Sequence, residues 1–212
     1  MDIPTAKFGM LEGLSLVLAS ASPRRARLLQ QAGIDFRVIE PKVEEKMAES
    51  CPFFTPAELA LNNAYLKACQ VAASHPSEWV LAADTVVVIQ GEILGKPRDL
   101  EHARRMFELL NGKTHQVITA VFILRGDPFH QLPFYEMSRV TFNKLAARDR
   151  DRYLEAIDPL DKAGAYAVQE KHDLLIEKIE GSFSNVMGLP LEKLLDVLPR
   201  LQRHTRKEAG RL

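Results

Sequence analysis

One stretch, Leu81 to Asp99 (LAADTVVVIQGEILGKPRD), constrains this chain more than any other. Its run of Ala, Val and Ile predicts the inner strand of a sheet covered on both faces, because a half-exposed strand alternates apolar with polar side chains. A single acid, Asp84, is set into that run between Ala83 and Thr85. An ionised carboxylate there is costly unless a cation or a metal offsets it. Gln90-Gly91 predicts a tight turn, and the returning segment ends in Gly95-Lys96-Pro97, which offers Lys96 as a partner for the acid. Asp84 reads either as a strand-end acid capping a loop, or as a carboxylate that binds a metal or activates water.

The remainder of the chain supplies elements to cover that strand. Residues 1–13 read as a lead-in. Leu14 to Ala19 is a short apolar strand, and Ser22 and Pro23 suit the N-cap and first position of a helix that stops at Gly33. Ile34 to Glu40 reads as a second strand. Thr55 and Glu58 have capping-box spacing and open an Ala- and Leu-rich helix that carries Lys67. Beyond Pro97, Ala103, Met106, Phe107 and Leu110 recur at helical spacing. His115–Leu124 and Phe134–Phe142 are further strands, the second alternating as an antiparallel partner with one face less covered. A charged helix over 147–156, a strand over 174–179, a loop from Gly181 to Gly188 and a helix from Pro190 to Leu198 complete the order. Strands and helices mix without strict alternation. That predicts an α/β fold with a mixed central sheet flanked by helices, in a single domain over 14–200. Residues 201–212 form a basic tail expected to fray.

Composition narrows the function classes. Twenty-eight basic residues balance 28 acidic ones, which argues against a nucleic-acid partner bound through a global positive field. Two cysteines without CxxC spacing indicate neither a disulfide scaffold nor a thiolate zinc site. No apolar run reaches membrane-spanning length and the first ten residues lack a signal-peptide core, so no membrane association and a cytoplasmic location are expected.

The residues suited to chemistry are scattered along the chain. Ser20-Ala21-Ser22-Pro23-Arg24-Arg25 places two arginines in the first turn of a helix, where the dipole disfavours cations. A bound phosphate removes that conflict, with Ser20 and Ser22 adding hydroxyl contacts; the alternative is a capped helix with two solvated arginines. Lys67 and Lys96 read singly as surface lysines; taken with Arg24, Arg25, Asp84 and Glu45, they would make a cationic pocket with an embedded metal site. Oxygen ligands of this kind favour magnesium or manganese. Glu44 and Glu45 read equally as a solvated acidic turn. His115 has no partner nearby in sequence and reads as structural. Gln169 reads as an amide that contacts a base edge or as one bonded to backbone. No GxSxG, Walker A or GxGxxG pattern occurs.

Five segments together resemble the Maf family of nucleoside-triphosphate pyrophosphatases: SASPRR at 20–25, AADTVV at 83–88 with GKPRD at 95–99, HQVITAV at 115–121, DKAGAYAVQ at 161–169 and GSFSNVMGLPL at 181–191. The resemblance implies a two-lobed fold like that of inosine-triphosphate pyrophosphatases, with a cleft between the lobes. It implies metal-dependent hydrolysis of a triphosphate to a monophosphate and pyrophosphate, with Asp84 as proton acceptor. Ser20, Arg24, Arg25, Lys67 and Lys96 match positions that line the phosphate end of the cleft, and Glu45 matches an acidic position near the metal. Arg24, Thr85 and Gln169 match the branch acting on dTTP and UTP; the 7-methyl-GTP branch usually has an aromatic residue after Ser-Pro. The family also implies a homodimer as one assembly. Departures are Glu170, where Gly is frequent, and Leu66, where an acid is common before the lysine. Two alternatives follow: the same reaction on 7-methyl-GTP or another purine triphosphate, and a non-catalytic nucleotide-binding regulator of cell division.

Overall fold

The protein is described by a computed structural model covering residues 4–5, 14–168 and 172–209. In chain order its elements are β1 (Leu16–Ala19), α1 (Pro23–Gln31), β2 (Arg37–Ile39), α2 (Pro56–Ala72), β3 (Trp79–Ile89), β4 (Glu92–Leu94), α3 (Leu100–Leu110), β5 (Thr114–Arg125), β6 (His130–Phe142), α4 (Ala147–Ala156), α5 (His172–Leu175), β7 (Ile176–Glu180), α6 (Phe183–Val186) and α7 (Leu191–Ala209). The sheet runs β2-β1-β3-β5-β6-β7, with β4 attached to β3. β1 is parallel to β2 and β3, whereas β3, β5, β6 and β7 pair antiparallel, so the sheet is mixed.

β3 is the strand that the Ala/Val/Ile run predicts, and one of its edges is shared. β1 pairs with its first half, from Trp79 to Ala82, and β4 pairs with its last three residues, Val87 to Ile89. Between those two registers Ala83 to Val86 lack a strand neighbour on that side. The sheet forks there, and the fork opens into a cleft.

Side-chain alternation along β3 separates two cores. Val80, Ala82, Val86 and Val88 pack toward α2, against Ala60, Ala64, Ala68 and Val71. Leu81, Ala83, Val87 and Ile89 join the larger core, with Leu28 and Leu29 of α1, Phe107 of α3 and Leu191 and Leu194 of α7. The stripe of alanines on α2 brings that helix close to the sheet. Its start is held by the predicted capping box, in which the Thr55 side chain accepts from the Glu58 N–H and the Glu58 carboxylate accepts from the Thr55 N–H.

Four local expectations are corrected. The second strand is only Arg37–Ile39, because Ile34 completes the end of α1: its N–H reaches Leu29 O and the Gly33 N–H reaches Gln30 O, with Gly33 at φ 70°. Ser22 occupies the N-cap of α1 without a side-chain capping bond; the Ser20 hydroxyl accepts from the Ser22 N–H instead. The 181–188 loop contains the single turn α6, too short to show a period. The last helix does not end at Leu198. It continues through Pro199 to Ala209, and Leu191, Leu194, Leu198 and Leu201 form one buried stripe across the proline.

Candidate active site

Asp84 lies at the fork on the α2 face of β3 and is 7% exposed. Its cation is Lys67, not Lys96. Lys67 Nζ donates to Asp84 Oδ1 at 2.6 Å and stands 2.8 Å from Glu45 Oε1. Lys96 Nζ contacts the other oxygen of Glu45 at 3.2 Å. Lys96 is near Asp84 in sequence, but the close packing of α2 delivers the lysine that reaches it. Asn63, one turn before Lys67, donates from Nδ2 to Asp84 Oδ2 at 3.3 Å. Glu44 is exposed, so of the two adjacent acids only Glu45 faces this network.

Thr85 points to the opposite face and anchors a second network. Its Oγ1 accepts from Arg25 Nη2 at 3.1 Å and lies 3.0 Å from Thr119 Oγ1, whose hydroxyl donates to Asn185 O. Arg25 also donates from Nε to Gly188 O at 2.8 Å and from Nη1 to the Ser20 hydroxyl at 3.2 Å. Gly188 takes φ 105°, a conformation that presents its carbonyl to the guanidinium and that side chains with a Cβ rarely adopt. Arg24, beside Arg25 on α1, lies 3.8 Å from Asp161, which in turn pairs with Lys162 at 2.6 Å.

These groups line one cleft of about 600 Å³. Ser20, Arg24, Arg25, Glu45, Lys67, Asp84, Thr85 and Lys96 all border it. Gln169 lies outside the described residues, as does Glu170. The sequence reading missed Asn63, Thr119, Gly188 and Lys162. Asn63 was detectable, since a polar residue four positions before Lys67 shares its helical face. Thr119 and Gly188 reach the site only through tertiary packing.

Burial pushes the Glu45 carboxyl up, but the charge and hydrogen bond of Lys67, together with Lys96, outweigh it and hold the group at about 2. Burial draws Arg25 down from its usual value against the opposing pull of Asp84, and the guanidinium remains a cation. His115 is excluded from the cleft lining. It is 2% exposed, bonds Tyr166 OH through Nε2 at 2.9 Å and sits edge-on to Phe142. Burial lowers it to about 4, so it is neutral near pH 7, the structural part expected of it.

Among the described residues no group of three or more His, Cys, Asp and Glu side chains is placed to hold a metal ion. Glu45 and Asp84 nevertheless supply two carboxylates bridged by one ammonium. That donor set fits an ion such as magnesium, which takes one or two protein carboxylates and completes its shell with phosphate and water.

The profile of a family described as Maf-like protein matches residues 15–201. This chain belongs to the Maf family. Its Maf relatives include a dTTP/UTP pyrophosphatase of Symbiobacterium thermophilum, 43% identical over 183 residues, covering 86% of this chain and 92% of the relative. Another is the dTTP/UTP pyrophosphatase of Bacillus anthracis, 39% identical over 180 residues, covering 85% and 92%. Among solved structures, the Staphylococcus aureus Ham1 protein aligns over 87% of this chain and 97% of its own, at 17% identity and a TM-score of 0.48. In this Maf chain, all five of the sequence segments that carry the resemblance contribute described residues to the fork or its flanks: β1 with its following turn, β3 with the β4 return, β5, the 161–168 segment and the α6 region.

Proposed function

We propose that this protein hydrolyses nucleoside triphosphates to a nucleoside monophosphate and pyrophosphate, with dTTP and UTP as substrates. The observation that carries the reading is the buried Asp84 carboxylate facing a cleft whose other walls present Arg24, Arg25, Lys67 and Lys96. A mere binding site for an anion has no use for a buried acid. The names of relatives at 39–43% identity support the same substrate class. Asp84 accepts a proton from a water whose oxygen attacks the α-phosphorus; the bond from that phosphorus to the α,β-bridging oxygen breaks, and pyrophosphate leaves with the electron pair. Arg25, fixed on three sides by Gly188, Ser20 and Thr85, is a preorganised donor to phosphate oxygens. Lys67 and Lys96 add charge from the opposite wall. Glu45 and Asp84 would hold magnesium or manganese, which when bound offsets phosphate charge and orients the chain. Arg24, Thr85 and Gln169 are assigned to pyrimidine selectivity, and a cytoplasmic location suits a nucleotide substrate.

Pyrophosphate release from dTTP, UTP, CTP, 7-methyl-GTP and ITP, with magnesium or manganese present and Asp84→Asn as the blank, tests this. Release from dTTP and UTP that vanishes in the variant is expected. Release from 7-methyl-GTP alone overturns the selectivity, and wild-type turnover by a folded Asp84→Asn overturns the base.

A further inference from the structure

Two side chains of α2 join the same two parts of the cleft. Lys67 spans from Asp84 Oδ1 to Glu45 Oε1, at 2.6 and 2.8 Å. One turn earlier, Asn63 spans from Asp84 Oδ2 to the backbone beside Glu45. Its Oδ1 accepts from the Lys46 N–H at 2.8 Å, and its Nδ2 donates to Lys46 O at 3.1 Å as well as to Asp84 at 3.3 Å. Asn63 is 4% exposed, and both of its amide hydrogens are engaged.

The two rungs differ in charge, and so in what a ligand does to them. A triphosphate would attract the Lys67 ammonium, and a divalent cation, which Glu45 and Asp84 would hold, would offset their charge in its place. Either event loosens the charged rung. The neutral Asn63 rung competes with neither ligand, because an amide already bonded to carboxylate and backbone has nothing to offer a phosphate. It also bonds Oδ2, so Oδ1 is the oxygen released when Lys67 moves. We propose that Asn63 is a positioning residue for the hydrolysis, keeping Asp84 and the Glu45 loop in register while Lys67 is drawn to the phosphates. The inference rests on the reading of Asp84 as the base.

Asn63→Leu keeps the branching and heavy-atom count of the side chain and removes all three bonds. It is expected to lower kcat for dTTP by about 10–100-fold, the range for partners that orient a site, while KM changes much less. Asn63→Gln, which retains the amide on a longer arm, should recover part of kcat. A folded Asn63→Leu with wild-type kcat, or one that raises KM alone, overturns the proposal. Should Asn63→Leu not fold, side-chain NMR of the wild-type chain with magnesium and α,β-imido-dUTP decides. The Lys67 ammonium signal should shift while the Asn63 amide protons stay slow to exchange; faster exchange of those protons in the complex overturns the idea. Asp84→Asn run in parallel separates the two failures. An active Asp84→Asn removes the underlying reading, whereas an inactive one beside a fully active Asn63→Leu removes Asn63 alone.

Discussion

Lys67 carries two duties that pull against each other. It neutralises two carboxylates, and it lines the cleft proposed to take the triphosphate. Removing it strands Asp84 in a buried position without its charge partner, which in comparable pairs costs about 3–5 kcal/mol. Lys67→Met is therefore expected to lower Tm by roughly 6–20 °C, read by thermal melting; an unchanged Tm would mean that water, not Lys67, compensates Asp84. His115 gives the clearest pH signature. Its folded-state value of about 4 lies below the ordinary 6.5, so as pH falls between those values the unfolded chain takes up a proton that the folded chain refuses. Stability should drop across that window by on the order of 3 kcal/mol, with the loss complete near pH 4. Urea titrations at intervals from pH 7 to 4 should show a shallower decline in His115→Gln than in wild type. Residue chemistry was partly legible in the sequence. That Asp84 needed a cation followed from the apolar run around it, but which lysine supplied it depended on helix packing that spacing cannot reveal.

At the scale of elements, the capping box of α2, the Schellman end of α1 and the tight turn at Gln90-Gly91 were written in short-range patterns, and the structure has them where those patterns fall. The elements that escaped were those set by distant contacts. The α6 turn exists because the Ser182 hydroxyl accepts from the Asn185 N–H, while Asn185 Nδ2 donates to Val117 O and the Ser138 hydroxyl across the sheet. The same loop ends at Gly188, whose φ of 105° and carbonyl fix Arg25. A Cβ at that position would lie 3.4 Å from Thr85 Oγ1 and 3.6 Å from Arg25 Nε. Gly188→Ala is expected to cost about 1–3 kcal/mol in a urea titration, through backbone strain. It should also raise KM for dTTP by displacing the guanidinium. A loss of stability with KM unmoved would detach Gly188 from the site.

The whole molecule has zero formal charge, yet its cleft gathers cations from α1, α2 and the β4 return. Attraction of the proposed triphosphate substrate would thus be local rather than global, and screened by salt. Raising ionic strength from about 0.05 to about 0.5 M should increase KM several-fold, with kcat less affected; a KM indifferent to salt would argue that the cations are spent on the protein's own acids. The α/β class and mixed sheet followed from the unalternating order of elements. The fork did not, because it arises from two short strands meeting one long strand at registers no local pattern records. That fork has a mechanical consequence. β3 runs unbroken beneath both halves of the opening, paired to β5 along nearly its whole length. The two walls are branches of one trunk. Movement of β1 relative to β4 must therefore pass through the twist of β3, because both are hydrogen-bonded to that one strand.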